Sequence, residues 1–251
     1  MRELSSHCLA VLRTWRLVVL HIVGNALLLT GAALWLLVPE EHVWQLVFAV
    51  VSALLVVFLF VWLHAGTLIY AADPAPEKLL AAFRPRVRSL AWLLFGVMIL
   101  YACLWVVASW SDSLAQASGY LYSKAPSALR PIRGGSTYYQ LGAYLLAILF
   151  WYVLPAMLLP WTAAKVTGRS FRQGLKALLN WRYWLGMAAA ACVGVWLPQL
   201  LLEWKPGTGL SQETASIAIR LAVAYALATA AWLTTAGLLG YFVSEENAPQ
   251  V

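Results

Sequence analysis

The chain has 251 residues, of which 63% are apolar and only 11% charged, less than half the roughly 25% of an ordinary soluble domain. A soluble fold of this length cannot hide that much apolar surface, and with a mean hydropathy of +0.76 the chain fits poorly as a soluble enzyme, a disordered tail, a disulfide scaffold or a nucleic-acid domain. The net charge of +7 lies in short segments between apolar runs, which suits topology control and contact with anionic lipid rather than with nucleic acid.

Six runs reach the roughly 20 residues that a helix needs to cross a hydrocarbon core: about 15–38, 43–70, 89–109, 138–164, 183–202 and 215–243. They are apolar on all sides, so they read as helices and not as barrel strands, which alternate. The reading is an all-α bundle of six transmembrane helices forming one integral membrane domain over residues 1–251. The first run, Leu17 to Val38, is too long for a signal peptide, and Pro39-Glu40-Glu41 offers no small-residue cleavage site. Between runs one and two lies this acidic turn.

The loops set the orientation. One side holds Arg2, Arg13, Arg16, Lys78, Arg84, Arg86, Arg88, Lys165, Arg169, Arg172, Lys176 and Arg182; the other holds Lys124, Arg130, Arg133, Lys205 and Arg220. Positive charge stays in the cytoplasm, so both termini are expected there. Trp15, Trp35, Trp44, Trp92, Trp110, Trp181, Trp184 and Trp204 fall near run ends, where indoles favour the headgroup region.

Two cytoplasmic segments look amphipathic, Glu77–Arg84 before run three and Ser170–Arg182 before run five. In the second, Phe171, Leu175, Leu178 and Leu179 keep helical spacing among Arg172, Lys176 and Arg182. Such helices lie in the inner interface with their cations among anionic headgroups. Lipid-headgroup contact is therefore assigned to Arg172, Lys176 and Arg182, and to Arg84, Arg86 and Arg88. A weak repeat links these lead-ins: Leu9, Leu12, Trp15 and Arg16 match Leu175, Leu178, Trp181 and Arg182, and Leu80–Arg86 echoes both. The unit would be an interfacial helix followed by a transmembrane hairpin, three times.

The largest outer segment, Ser111 to Thr137, is read as a connection, with a lid or docking loop as the alternative; Ser113–Ser118 within it suits a short surface helix. In run four, Pro155 and Pro160 come late, Gly168 follows, and the basic lead-in ends in Trp181-Arg182. Over roughly residues 150–200, and more faintly 5–38, this pattern resembles the membrane domain of glycerophosphoryl diester phosphodiesterases and related uncharacterised bacterial polytopic families. The resemblance implies a helical bundle in the bacterial inner membrane and carries over no catalytic residue.

The search for chemistry yields little. No carboxylate lies mid-span, where proton-coupled carriers keep one. HExxH and GxSxG are absent. Lys124 with Arg130-Pro131 matches part of a lipid-phosphatase signature, but no histidine follows His64. Cys8, Cys103 and Cys192 form no CxxC, so neither a disulfide framework nor a zinc site is expected. His21 and His64 sit in the inner half of runs one and two. They suit interhelical hydrogen bonding, with Asn25 one turn from His21; the alternative is a bis-histidine ligand pair for haem b. Gly186, Ala190 and Gly194 in run five, and Ala218, Ala222, Ala226 and Ala230 in run six, form small-residue faces suited to close helix packing. Arg220 is expected to snorkel outward or to pair with Glu213.

These readings converge on a non-enzymatic inner-membrane protein, an accessory or scaffold subunit that contacts anionic lipid and a partner protein. The alternatives are a permease subunit of an exporter driven by a separate ATPase and, third, a haem-binding electron-transfer subunit.

Overall fold

The structure is a computed structural model and describes residues 2–39, 41–127, 135–204 and 210–244. These are helical with no strands, and six helical stretches are long and apolar enough to cross a membrane: Trp15–Leu36, Val43–Ala71, Val87–Ser111, Ser136–Val166, Trp181–Glu203 and Glu213–Val243. At most 28% of the most apolar stretch of each is buried within the fold. Large side chains such as Leu27, Leu54, Trp105 and Leu145 face outward, the inverse of a water-soluble bundle.

The elements in order are α1 (Arg2–Arg13), α2 (Trp15–Leu36), α3 (Val43–Ala71), a 3₁₀ turn (Pro76–Lys78), α4 (Leu79–Ala82), α5 (Val87–Lys124), α6 (Gly135–Ile148), a π turn (Leu149–Val153), α7 (Leu154–Val166), α8 (Phe171–Leu178), α9 (Trp181–Ala191), a second π turn (Cys192–Trp196), α10 (Leu197–Glu203) and α11 (Leu210–Val243). A short helix followed by two long helical stretches thus recurs three times. The residues form two compact units, 1–94 with 160–251, and 95–159.

In the larger unit α11 is the central helix, packed against α1, α2, α3, α8, α9 and α10. The α2–α3 hairpin is tied near its turn by the Trp35 indole, which donates to the Ala49 carbonyl at 2.9 Å. Leu17, Leu63, Leu68, Tyr70, Leu233, Leu239 and Val243 are fully buried, which puts the core at the end of the bundle where α3 finishes and α11 runs out. There α11 meets the backbone of α3: a Cβ on Gly240 would run into the Ala71 carbonyl. The same carbonyl, left without an intrahelical donor at the helix end, accepts from His7 Nε2 of α1 at 2.8 Å. The start of α1 and the last turns of α11 therefore lie at one end.

α9 and the second π turn pack on α11 through two small residues, with Gly186 against Leu238 and Gly194 against the Ala231 methyl. Over its first three residues the alanine face predicted on α11 is not a packing face within the fold; its fourth, Ala230, is half-buried. Ala218, Ala222 and Ala226 are exposed, while Arg220, Ala224 and Ala231 are buried. Arg220 itself neither snorkels nor reaches Glu213. Only 6% exposed, its guanidinium donates to the carbonyls of Trp204 and Leu202, the latter at 3.1 Å, and its Nε to Ser216 at 3.2 Å. Trp204 and Leu202 belong to the end of α10, so the cation caps carbonyls that the helix cannot satisfy and complements the negative end of its dipole.

Both π turns end two residues before a proline, Pro155 and Pro198. The amides of Leu154 and Leu197 reach back five residues, to Leu149 and Cys192. A proline ring collides with the carbonyl four residues earlier and has no N–H to offer. Widening the preceding turn by one residue removes the collision without ending the helix. The α7 end is closed by Gly168, at φ +79°. Arg169 N–H bonds to Ala164 at 2.7 Å and Gly168 N–H to Lys165 at 3.1 Å, the glycine-dependent arrangement that ends many helices.

In the smaller unit, Leu114 of α5 covers Gly142 of α6. No separate surface helix exists at 113–118: α5 runs 38 residues without a break, about 57 Å at 1.5 Å per residue. Ala115, Gln116, Ala117 and Leu121 are good helix formers, and the first proline after Ser111 is Pro126. Arg130, Pro131, Arg133, Gly134 and Lys205 lie outside the described residues, as do Glu40, Glu245 and Glu246.

Candidate functional site

The residues singled out from the sequence fall into two places, a polar cluster between helices and the basic end of the larger unit. The cluster centres on His21, fully buried in α2. Its Nε2 pairs with the Thr67 hydroxyl of α3 at 2.6 Å and its Nδ1 with Asn25 Nδ2 at 3.3 Å. Thr67 in turn donates to the Leu63 carbonyl at 2.8 Å. His64 meets the His21 ring edge-on at 5.6 Å between centroids and packs against Phe60 and Trp232; its Nδ1 bonds to the Phe60 carbonyl at 2.8 Å. Tyr225 of α11 donates to the Ile22 carbonyl at 2.5 Å. The Trp232 indole N–H is buried with no hydrogen-bond partner among the described residues.

The two histidines do come together, as the antiparallel hairpin allows. His21 makes the interhelical hydrogen bond, to Thr67, of the kind that holds helices together where lipid removes the hydrophobic drive, while His64 bonds within α3 to Phe60 and meets His21 by ring packing. Both ring nitrogens of His21 are engaged, so serving as a haem ligand would break one of these bonds. Leu63 fills the space over Gly24, and the Phe83 ring that over Gly66. Among the described residues no three His, Cys, Asp or Glu side chains gather in one place.

At the basic end, α8 is docked through its small residues. Gly174 and Ala177 are buried; a Cβ on Gly174 would lie 2.9 Å from the Pro160 carbonyl oxygen and 2.8 Å from Trp161 Cδ1. Trp161 also stacks on Phe171 at 4.8 Å. The Ser170 amide donates to the Gln173 side chain at 2.9 Å, which fixes the first turn in the manner of a capping box. The α8–α9 corner is held by Trp184 Nε1 donating to Leu178 at 2.8 Å and by Asn180 Oδ1 accepting from the Arg182 amide at 3.0 Å.

The other face of α8 is open. Leu175 and Leu179 follow Phe171 at four-residue spacing; Trp161 covers part of the Phe171 ring, while Leu179 is 88% exposed. Arg172 and Lys176 are exposed beside them, as are Arg84, Arg86 and Arg88 at the start of α5. Among the described residues none of these five side chains has a hydrogen-bond or ion-pair partner. Arg182 lies over the Trp181 ring at 5.8 Å. Lys78 is paired with Asp73, which holds its ammonium above the ordinary lysine range. Cys8 of α1 is driven up to about 11 by burial, which leaves its thiol protonated and unreactive at neutral pH.

The structure adds one feature that sequence reading missed. Arg13, read there as a topology charge, and Arg16, read as a topology charge and as part of the lead-in repeat, line a cleft of about 600 Å³ with Ser6, Thr14, Trp15, Pro74, Pro76 and Leu79. The signal was the break at Thr14 between two helices, with a cation on each side of it. The chain matches no protein-family model, no curated protein and no solved structure.

Proposed function

We propose that the chain is a non-enzymatic, multi-pass protein of the bacterial inner membrane with both termini in the cytoplasm. It acts as an accessory or scaffold subunit, engaging anionic lipid with its basic end and a partner protein within the membrane. The observation that carries this reading is α8. One face is locked on Pro160 and Trp161, with the Phe171 ring against Trp161 at its edge, while on the other face Leu175 and Leu179 are exposed and Arg172 and Lys176 have no hydrogen-bond or ion-pair partner among the described residues. A helix with that division lies stably where acyl chains meet headgroups, each nearby cation adding about 1 kcal/mol of attraction to an anionic surface. The exposed Ala218, Ala222 and Ala226 face of α11 supports a partner helix, since small residues allow close approach in lipid. A membrane domain without catalytic groups is also what the resemblance to the phosphodiesterase membrane domains implies.

The test is extraction into native nanodiscs, with lipids and co-purifying proteins read by mass spectrometry. The wild type should retain phosphatidylglycerol and cardiolipin above their bulk share and bring down a reproducible partner. Changing Arg84, Arg86, Arg88, Arg172 and Lys176 to Gln should return the lipids to their bulk share. Unchanged enrichment in that variant contradicts the lipid reading, and purification always as a lone species contradicts the subunit reading.

A further inference from the structure

We infer that the cleft between α1, the start of α2 and the Pro74–Leu79 segment binds a phosphate group, with Arg13 and Arg16 as its ligands. It deepens the reading of the basic end by adding one discrete site to a diffuse charged surface, and it rests on that reading.

The cleft encloses about 600 Å³, within the roughly 300–1,000 Å³ of sites that hold small ligands. Its walls come from separate parts of the chain. Ser6, Ala10 and Arg13 are on α1, Trp15 and Arg16 open α2, and Pro74, Pro76 and Leu79 come from the connection after α3. The walls are fixed. Thr14 at the α1–α2 corner donates to the Ala10 carbonyl at 3.0 Å and meets the buried Tyr70 hydroxyl of α3 at 2.8 Å. His7 ties α1 to the end of α3, and two prolines stiffen the opposite wall. The site is therefore preorganised.

Its charge is unbalanced. Arg13 has no hydrogen-bond or ion-pair partner among the described residues, and Arg16 makes only a contact over the Trp15 ring at 5.7 Å. Of the two carboxylates on the opposite segment, Asp73 is paired with Lys78, and Glu77 also acts on the Lys78 ammonium. Arg13 ends α1, where a cation suits the helix dipole, but Arg16 sits in the first turn of α2, which has no acidic residue. A cation there is repelled by the helix dipole, so Arg16 does not serve helix stability; beside its part in topology control, an anion held in the cleft would offset that repulsion. Arginine forks match phosphate oxygens in pairs, and Trp15 beside them places the cleft at headgroup depth. The phosphate comes either from an anionic phospholipid headgroup or from free phosphate; the recognising chemistry is the same.

Full-length protein in neutral detergent is titrated with dihexanoyl phosphatidylglycerol, dihexanoyl phosphatidylcholine and inorganic phosphate. The readouts are the thermal midpoint and the fluorescence that Trp15→Phe removes. Phosphatidylglycerol should give a saturable response at least ten-fold tighter than phosphatidylcholine. Arg13→Gln/Arg16→Gln should weaken it at least ten-fold, and Arg172→Gln/Lys176→Gln should leave it unchanged. An equal saturable response to inorganic phosphate supports the site and names the soluble source. If the double cleft variant does not fold, Arg16→Gln alone should weaken binding several-fold. The same affinity in the cleft variants, equal affinity for phosphatidylcholine, or no saturable response to any probe overturns the inference. Loss of bulk lipid enrichment is read in the separate α8 and α5 variants, so failure of the cleft and failure of the surface reading give different patterns.

Discussion

At the scale of single residues, Arg220 shows how a buried charge is used structurally. Its guanidinium answers the last carbonyls of α10, and truncation leaves those acceptors unsatisfied in a place with little water. Charge-assisted hydrogen bonds contribute about 1.5–3 kcal/mol each and unsatisfied buried groups cost a comparable amount. Arg220→Met should therefore lower stability by about 2–4 kcal/mol, with Arg220→Lys losing less, measured by reversible denaturation in mixed micelles. A change below about 0.5 kcal/mol, the range of neutral surface substitutions, would contradict the capping role. The sequence could not reveal this partner, because α10 ends 17 residues before Arg220 and only the packing of the α9–α10 stretch on α11 brings them together. The His21–Asn25 pair was legible, since both lie on one face of one helix at i and i+4. Thr67, the tighter partner of His21, comes from the neighbouring helix and carries no local signal.

Among the elements, the six spans were readable because a membrane helix is apolar all round over a length fixed by the bilayer. Interruptions within them were less so. Pro155 and Pro198 are visible in the sequence, but whether a proline kinks a helix or widens the preceding turn is decided by its neighbours. The overlong α5 was missed because polar residues at 111–118 look like a loop start, although none of them breaks a helix. For α8 the amphipathic pattern was plain, while its docking face was hidden in Gly174, a poor helix former that stays because Pro160 lies against it. Gly174→Leu should lift α8 from α7, since the new side chain meets backbone rather than a movable side-chain tip. The expected result is faster amide hydrogen exchange at 171–178, with the exchange of α2 and α3 unchanged. Unaltered exchange in α8 would show that lipid alone holds it.

For the whole molecule, the account depends on sidedness. In the larger unit, α1, the end of α3, α8 and the last turns of α11 share one end, and that end carries most of the Lys and Arg residues. The lipid reading and the phosphate cleft both require this end to face the cytoplasm, where anionic headgroups and phosphate compounds are at hand. The most direct measurement is a phosphatase reporter, active only outside the cytoplasm, inserted in the full-length chain after Lys78, after Ala125 or after Arg172. The account predicts activity at Ala125 and silence at Lys78 and Arg172; activity at Lys78 or Arg172 would contradict it.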